Sequence, residues 1–146
     1  MASTDPTKDY AGDLSVTEAW ALLQSDPRAQ LVDVRTSAEW SFVGLPDLSS
    51  LGREALLVEW QSFPTMRPNP SFVDDTVRAG VGAKDAPVLF LCRSGARSRS
   101  AAIAITAAGY SRAYNIAGGF EGDLDGERHR GQQNGWKASG LPWKQS

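Results

Sequence analysis

The chain has 146 residues, of which 41% are hydrophobic, and its formal net charge is −2. This size and composition predict one soluble globular domain, and the charge offers no basic excess for binding nucleic acid or a membrane surface. A single cysteine excludes an internal disulfide scaffold, and one Cys with one His argues against a zinc site. We therefore expect a reducing, cytoplasmic location, with no metal and no cofactor.

The N-terminal region predicts a short lead-in followed by a helix. Residues 1–13 are polar and are expected to be flexible, with a single domain over 14–146. Ser15 can cap the first turn of a helix, and Glu18 stands three residues later, as in a capping box. Pro27 ends the helical pattern.

The middle of the chain alternates apolar runs with breaks. Residues 31–34 predict a short buried strand and 37–42 predict a helical turn. Residues 56–60 predict another strand, whereas 63–70 predict a loop because they contain three prolines. Phe72–Ala79 then has the spacing of a helix.

The last third gives the clearest indication of fold class. The unbroken apolar run Val88–Leu91 is typical of a central parallel strand covered on both faces. Residues 98–108 predict a slim, alanine-rich helix, and Ala113–Ile116 predicts a last strand. Strands that alternate with helices indicate an α/β fold with a mainly parallel sheet. Ligands bind such sheets at the carboxyl ends of the strands.

Cys92 stands at one such strand end, and Asp33 and Arg35 stand at another. We interpret Asp33 and Arg35 as a structural ion pair that supports the loop after the cysteine. His129 lies in a charged, polar segment and is interpreted as a solvated side chain. The sequence therefore offers no convincing Cys–His dyad, and a thiolate would be made by its surroundings rather than by a base.

The segment after the cysteine has the features of an anion-binding loop. It combines small residues, which let the backbone N–H groups converge, with arginines and the start of a helix. A lone cysteine that ends an apolar strand can instead be a small buried hydrophobic residue. The basic loop favours catalysis over that interpretation. The candidate substrate-binding residues are Arg93, Ser94, Gly95, Ala96, Arg97 and Ser98.

Four segments match a known family in composition and order: 31–35 with Glu39 and Trp40, 91–98, 113–119 and 140–142. On these segments the chain resembles the single-domain rhodanese family of sulfurtransferases. The resemblance implies a three-layer α/β/α sandwich around a five-stranded, mainly parallel sheet. It also implies that Cys92 takes sulfane sulfur from a small anionic donor such as thiosulfate and passes it, as a persulfide, to a thiophilic acceptor that can be a protein thiol. The backbone amides of 93–97 would cradle the outer sulfur, and Arg97 would help to bind the donor.

Two features qualify what the resemblance implies. The related cysteine phosphatases place the arginine one position later than this six-residue loop, where this chain has Ser98. The histidine that the family often carries after the first strand is absent from 43–47, and an insertion follows at 49–70. The alternatives are a non-catalytic rhodanese-like module that binds a partner protein, and arsenate reduction or phosphate-ester hydrolysis.

Overall fold

The computed structural model describes residues 9–62, 65, 67–81, 83–93, 95–122 and 135–144. The helices are α1 (Val16–Ser25), α2 (Ser37–Val43), α3 (Phe72–Ala79) and α4 (Ala96–Ala107), with a 3-10 turn at Ser49–Leu51. The strands are β1 (Gly12–Leu14), β2 (Gln30–Asp33), β3 (Leu45–Pro46), β4 (Leu56–Leu57), β5 (Gln61–Ser62), β6 (Arg67–Pro68), β7 (Val88–Leu91), β8 (Ala113–Ile116) and β9 (Trp143–Lys144).

A five-stranded parallel sheet carries the fold, in the order β1-β8-β7-β2-β4. Strand β7 is its central strand, and all four of its residues are buried. The predicted α/β class and the central position of this apolar run are thus confirmed. Because the strands are parallel, the chain leaves β2, β7 and β8 at the same edge of the sheet.

Successive side chains of each strand point to opposite faces of the sheet, so a buried core forms on each face. Leu31 and Leu89 contribute to one buried cluster, which includes apolar residues of α1. Val32 and Phe90 contribute to the other, which includes residues of α3 and α4. Helices on both faces of the sheet make the three-layer sandwich that the resemblance implies.

Side chains cap both of the first two helices as capping boxes. Ser15 Oγ accepts the backbone N–H of Glu18, whose carboxylate accepts the N–H of Ser15. Thr36 and Glu39 repeat this arrangement at the start of α2. The predicted start of α1 is confirmed, and the second box places Glu39 beside the carboxyl end of β2.

The N-terminal part of the sheet and the insertion differ from expectation. The sequence pattern places Gly12 and Asp13 in the lead-in. Both belong instead to strand β1, because they pair in register with β8. The prediction of a loop throughout 63–70 is wrong for Arg67–Pro68, which pairs with β5. Proline is compatible with this two-stranded ribbon because an edge position does not require its missing N–H. The strand predicted over 56–60 is confined to Leu56–Leu57.

Helix α4 begins earlier than the predicted residue 98. Gly95 is its N-cap with a φ of 117°, a left-handed conformation that glycine adopts without strain, so the helix starts at Ala96. Arg97 and Ser98 consequently lie in the first helical turn rather than in a loop. This two-residue change decides where their side chains point.

The segment 135–144 closes the fold. Trp136 is fully buried, makes an edge-on contact with Trp20, and donates its Nε1–H to the carbonyl of Pro142 at 2.7 Å. Trp143 is 39% exposed and packs on Phe120. None of the helices in the described part of the chain has the length and apolar character that a bilayer crossing requires.

Candidate active site

The Cys92 thiol lies directly after the central strand, at the N-terminus of α4. Its residue is only 1% exposed. The backbone N–H of Gly95 donates to Sγ at 3.1 Å, and Ser98 Oγ lies 3.2 Å from Sγ. The amide and the positive end of the α4 dipole both favour negative charge at this sulfur.

The turn after β8 holds the backbone of the cysteine loop. Phe120 N–H donates to the carbonyl of Cys92 at 2.8 Å, and the next amide, Glu121 N–H, donates to that of Arg93 at 3.0 Å. Gly119 has a φ of 62°, and a Cβ there would lie 2.5 Å from the Cys92 oxygen. The second glycine of Gly118-Gly119 is therefore required by close backbone contact with the active loop, beyond the turn that the sequence indicates.

A bidentate ion pair fixes the side chain of Arg97. Its Nη1 and Nη2 donate to the two carboxylate oxygens of Glu39 at 2.7 and 2.9 Å, and the two side chains are 17% and 19% exposed. Burial opposes ionisation of Glu39, but the bonds from Arg97 and from the Thr36 backbone outweigh it and lower its pKa from 4.5 to about 2. The hydrogen bonds with Glu39 raise the pKa of Arg97.

Sequence reasoning did not place Glu39 in the site. Nothing in the local sequence shows that Arg97, 58 residues later, binds the Glu39 carboxylate. The pairing follows from the order of β2 and β7 in the sheet, which makes the loops after these strands neighbours.

The predicted ion pair between Asp33 and Arg35 is present and fully buried. Arg35 Nε and Nη2 donate to the carboxylate at 2.9 and 2.7 Å. Nη2 also donates to the carbonyl of Gly44 at 2.7 Å, and the guanidinium lies 4.3 Å over the ring of Phe120. Arg35 thus contacts the ring of Phe120, whose backbone N–H donates to the carbonyl of Cys92.

The remaining candidate residues lie in different surroundings. Arg93 and Ala96 are exposed, whereas Ser98 is fully buried against the sulfur. Ser94 and His129 fall outside the described residues. Within the part of the chain that the structure describes, no cluster of three or more His, Cys, Asp or Glu side chains could hold a metal ion. The described site therefore centres on a single buried thiol, whose sulfur accepts the backbone N–H of Gly95.

Comparison with known proteins gives consistent matches over almost the whole chain. A family model described as the STR4 middle domain matches residues 11–146. The crystal structure of Rv0390 from M. tuberculosis is 52% identical, covers 94% of this chain and 99% of that chain, and has a TM-score of 0.86. The Rickettsia conorii protein RC0915 is 40% identical over 88% of this chain and 93% of its own length. Thiosulfate sulfurtransferase GlpE from Actinobacillus succinogenes is 27% identical over 89% of this chain and 87% of its own length.

Proposed function

The chain belongs to the rhodanese-like family, and on that premise we propose that it is a sulfurtransferase that carries sulfane sulfur as a persulfide on Cys92. The observation that carries the proposal is the surroundings of the sulfur. Sγ accepts the Gly95 N–H at the N-terminus of α4, where an anionic sulfur is stabilised. The similarity to GlpE, whose name states thiosulfate sulfurtransferase activity, supports the same class of reaction.

The proposed reaction needs no redox cofactor. The Cys92 thiolate attacks the outer sulfur of thiosulfate, a bond forms between Sγ and that sulfur, and the S–S bond of the donor breaks so that sulfite leaves with the electron pair. A thiophilic acceptor, such as cyanide or a protein thiol, then attacks the terminal sulfur and the electron pair of the broken bond regenerates the thiolate. Sulfur is transferred without net oxidation of the protein.

The arginines have separate proposed roles. Arg93 is exposed beside the cysteine and is suited to attract an anionic donor from solvent. Arg97 is held by Glu39, so its charge is fixed near the sulfur in one orientation. The pair leaves Arg97 less free to wrap an oxyanion than the sequence alone suggests, and donor binding would use its field more than a new bidentate contact.

One observation favours the alternative of a rhodanese-like binding module. Cys92 is 1% exposed, so the sulfur offers a donor almost no direct access from solvent. A module that binds a partner protein would need no access to the thiol at all.

An activity assay separates the two functions. The wild-type protein should transfer sulfur from thiosulfate to cyanide, and Cys92→Ala should lose this activity while keeping its far-ultraviolet circular dichroism spectrum. Cys92→Ser is the matched control, because it keeps a polar side chain at this position but lacks the sulfur, and it should be equally inactive. Transfer by either folded variant, or no transfer by the wild type with thiosulfate, polysulfide or small persulfides as donors, contradicts the proposal.

A further inference from the structure

A chain of hydrogen bonds runs from the Cys92 sulfur to the surface of the sheet. Ser98 Oγ lies 3.2 Å from Cys92 Sγ and 2.5 Å from Asn115 Oδ1. Asn115 Nδ2 donates to Asp13 Oδ1 at 2.9 Å. Ser98 and Asn115 are at most 1% exposed, whereas Asp13 is exposed. The chain therefore connects a buried thiol with a solvent-accessible carboxylate.

The sheet register builds this connection. Asp13 of β1 and Asn115 of β8 are direct partners in the parallel ladder, so their side chains project to the same face. Ser98 comes from the first turn of α4, which packs on β8. The hydroxyl of Tyr10 also donates to Asp13 Oδ1, at 2.8 Å, which helps to hold the carboxylate in place.

The direction of each bond follows from the protons available. An ionised carboxylate only accepts, so the Asn115 amide must turn its NH₂ group to Asp13 and its oxygen to Ser98. Two oxygens 2.5 Å apart require a proton between them, and Ser98 has only one to give. Ser98 therefore donates to Asn115 and presents a lone pair to the sulfur, where it can accept the S–H of the Cys92 thiol.

From this geometry we propose that Asp13 is a positioning residue for Cys92: through Asn115 it directs the single Ser98 proton away from the sulfur. With Asp13 ionised, Ser98 accepts from the thiol and does not donate to a thiolate. Without the carboxylate, the Asn115 amide is free to turn, donate to Ser98 Oγ, and let the Ser98 hydroxyl donate to the sulfur. Ionised Asp13 therefore disfavours the thiolate form of Cys92, whereas the Gly95 N–H and the N-terminus of α4 favour it.

Two ion pairs lie on neighbouring elements of the site. Asp33 is bound to Arg35, and Arg97 is bound to Glu39. The effect proposed for Asp13 is carried by two neutral groups in hydrogen-bond contact, Asn115 and Ser98. The inference rests on the proposed function for the role of Cys92, but its test needs no sulfur transfer, so the two can fail separately.

The first measurement is the infrared S–H stretching band, which reports the hydrogen bond that a thiol donates. A single cysteine makes the band unique. In the wild type it should lie at the low frequency of a hydrogen-bonded thiol, and in Ser98→Ala it should move to higher frequency. Asp13→Asn and Asp13→Ala should both move it in the same direction. Asp9→Asn removes an exposed carboxylate four residues earlier and should leave it unchanged.

The second measurement is the rate of alkylation by iodoacetamide, an uncharged reagent, at one neutral pH. Asp13→Asn should react severalfold faster than the wild type. Removing a negative charge would also favour a thiolate across space, so the same substitution is made in the Ser98→Ala background. The proposal expects no gain there. An equal gain in both backgrounds, or a wild-type S–H band in folded Asp13 variants, overturns it.

Discussion

The Glu39–Arg97 pair should make the stability of the protein depend on pH in the acid range. Glu39 has its pKa lowered from 4.5 to about 2, which corresponds to about 3 kcal/mol of stabilisation when it is ionised. Both side chains are less than one fifth exposed, so solvent screens the pair only weakly. Because the folded-state pKa is the lower one, this contribution is complete above about pH 4.5 and is lost as the pH falls towards 2.

Glu39→Gln tests this directly, since it keeps the shape of the side chain and removes its charge. At pH 7 the free energy of unfolding, measured with urea and tryptophan fluorescence, should fall by up to about 3 kcal/mol. The difference from the wild type should shrink between pH 4.5 and 2. Glu18→Gln is the matched control, because Glu18 occupies the same capping-box position in α1 and its carboxylate accepts the backbone N–H of Ser15 at an exposed site. Similar losses for both variants at pH 7, or a difference that persists in acid, would refute the reasoning.

One substitution and one insertion test the packing around the active loop and its length. Gly119→Ala should destabilise the protein by more than the ~1–2 kcal/mol of a left-handed alanine, because its Cβ would also lie 2.5 Å from the Cys92 oxygen. Gly140→Ala has a similar positive φ and no atom within 4 Å, so thermal melting of this control should show the conformational cost alone. An alanine inserted between Ala96 and Arg97 should turn the side chains that follow by about 100° around α4 and should abolish sulfur transfer without creating aryl-phosphate hydrolysis. A gain of phosphatase turnover on the insertion would mean that loop length alone sets the chemistry.

Local pattern predicted the elements whose signals lie within a few residues. The run Val88–Leu91 has apolar side chains on both faces, so only a central strand could bury it, and it is the central strand. The cap of α1 by Ser15 and the helical spacing of Phe72–Ala79 are equally local. Strand β1 was missed because its three residues carry almost no apolar pattern and are stabilised by pairing with β8.

The candidate site was predictable only as far as its residues are contiguous. Cys92, the glycine and the basic residues could be read from one segment, and the Asp33–Arg35 pair lies within one strand end. Glu39, Asn115 and Asp13 come from three other elements, and their roles depend on strand order and register. The contacts of Ser98 can be inferred only when the start of α4 is known. A shift of two residues in the helix start changes which atom the side chain faces.

Mass spectrometry of the intact protein after incubation with thiosulfate measures directly whether Cys92 becomes a persulfide. We expect a gain of one sulfur atom, located on the peptide that contains Cys92 and removed by cyanide or by a reducing agent. Cys92→Ala, treated in the same way, should show no gain. An unmodified wild-type mass with thiosulfate and with other sulfane-sulfur donors, or a sulfur adduct retained in Cys92→Ala, would contradict the account.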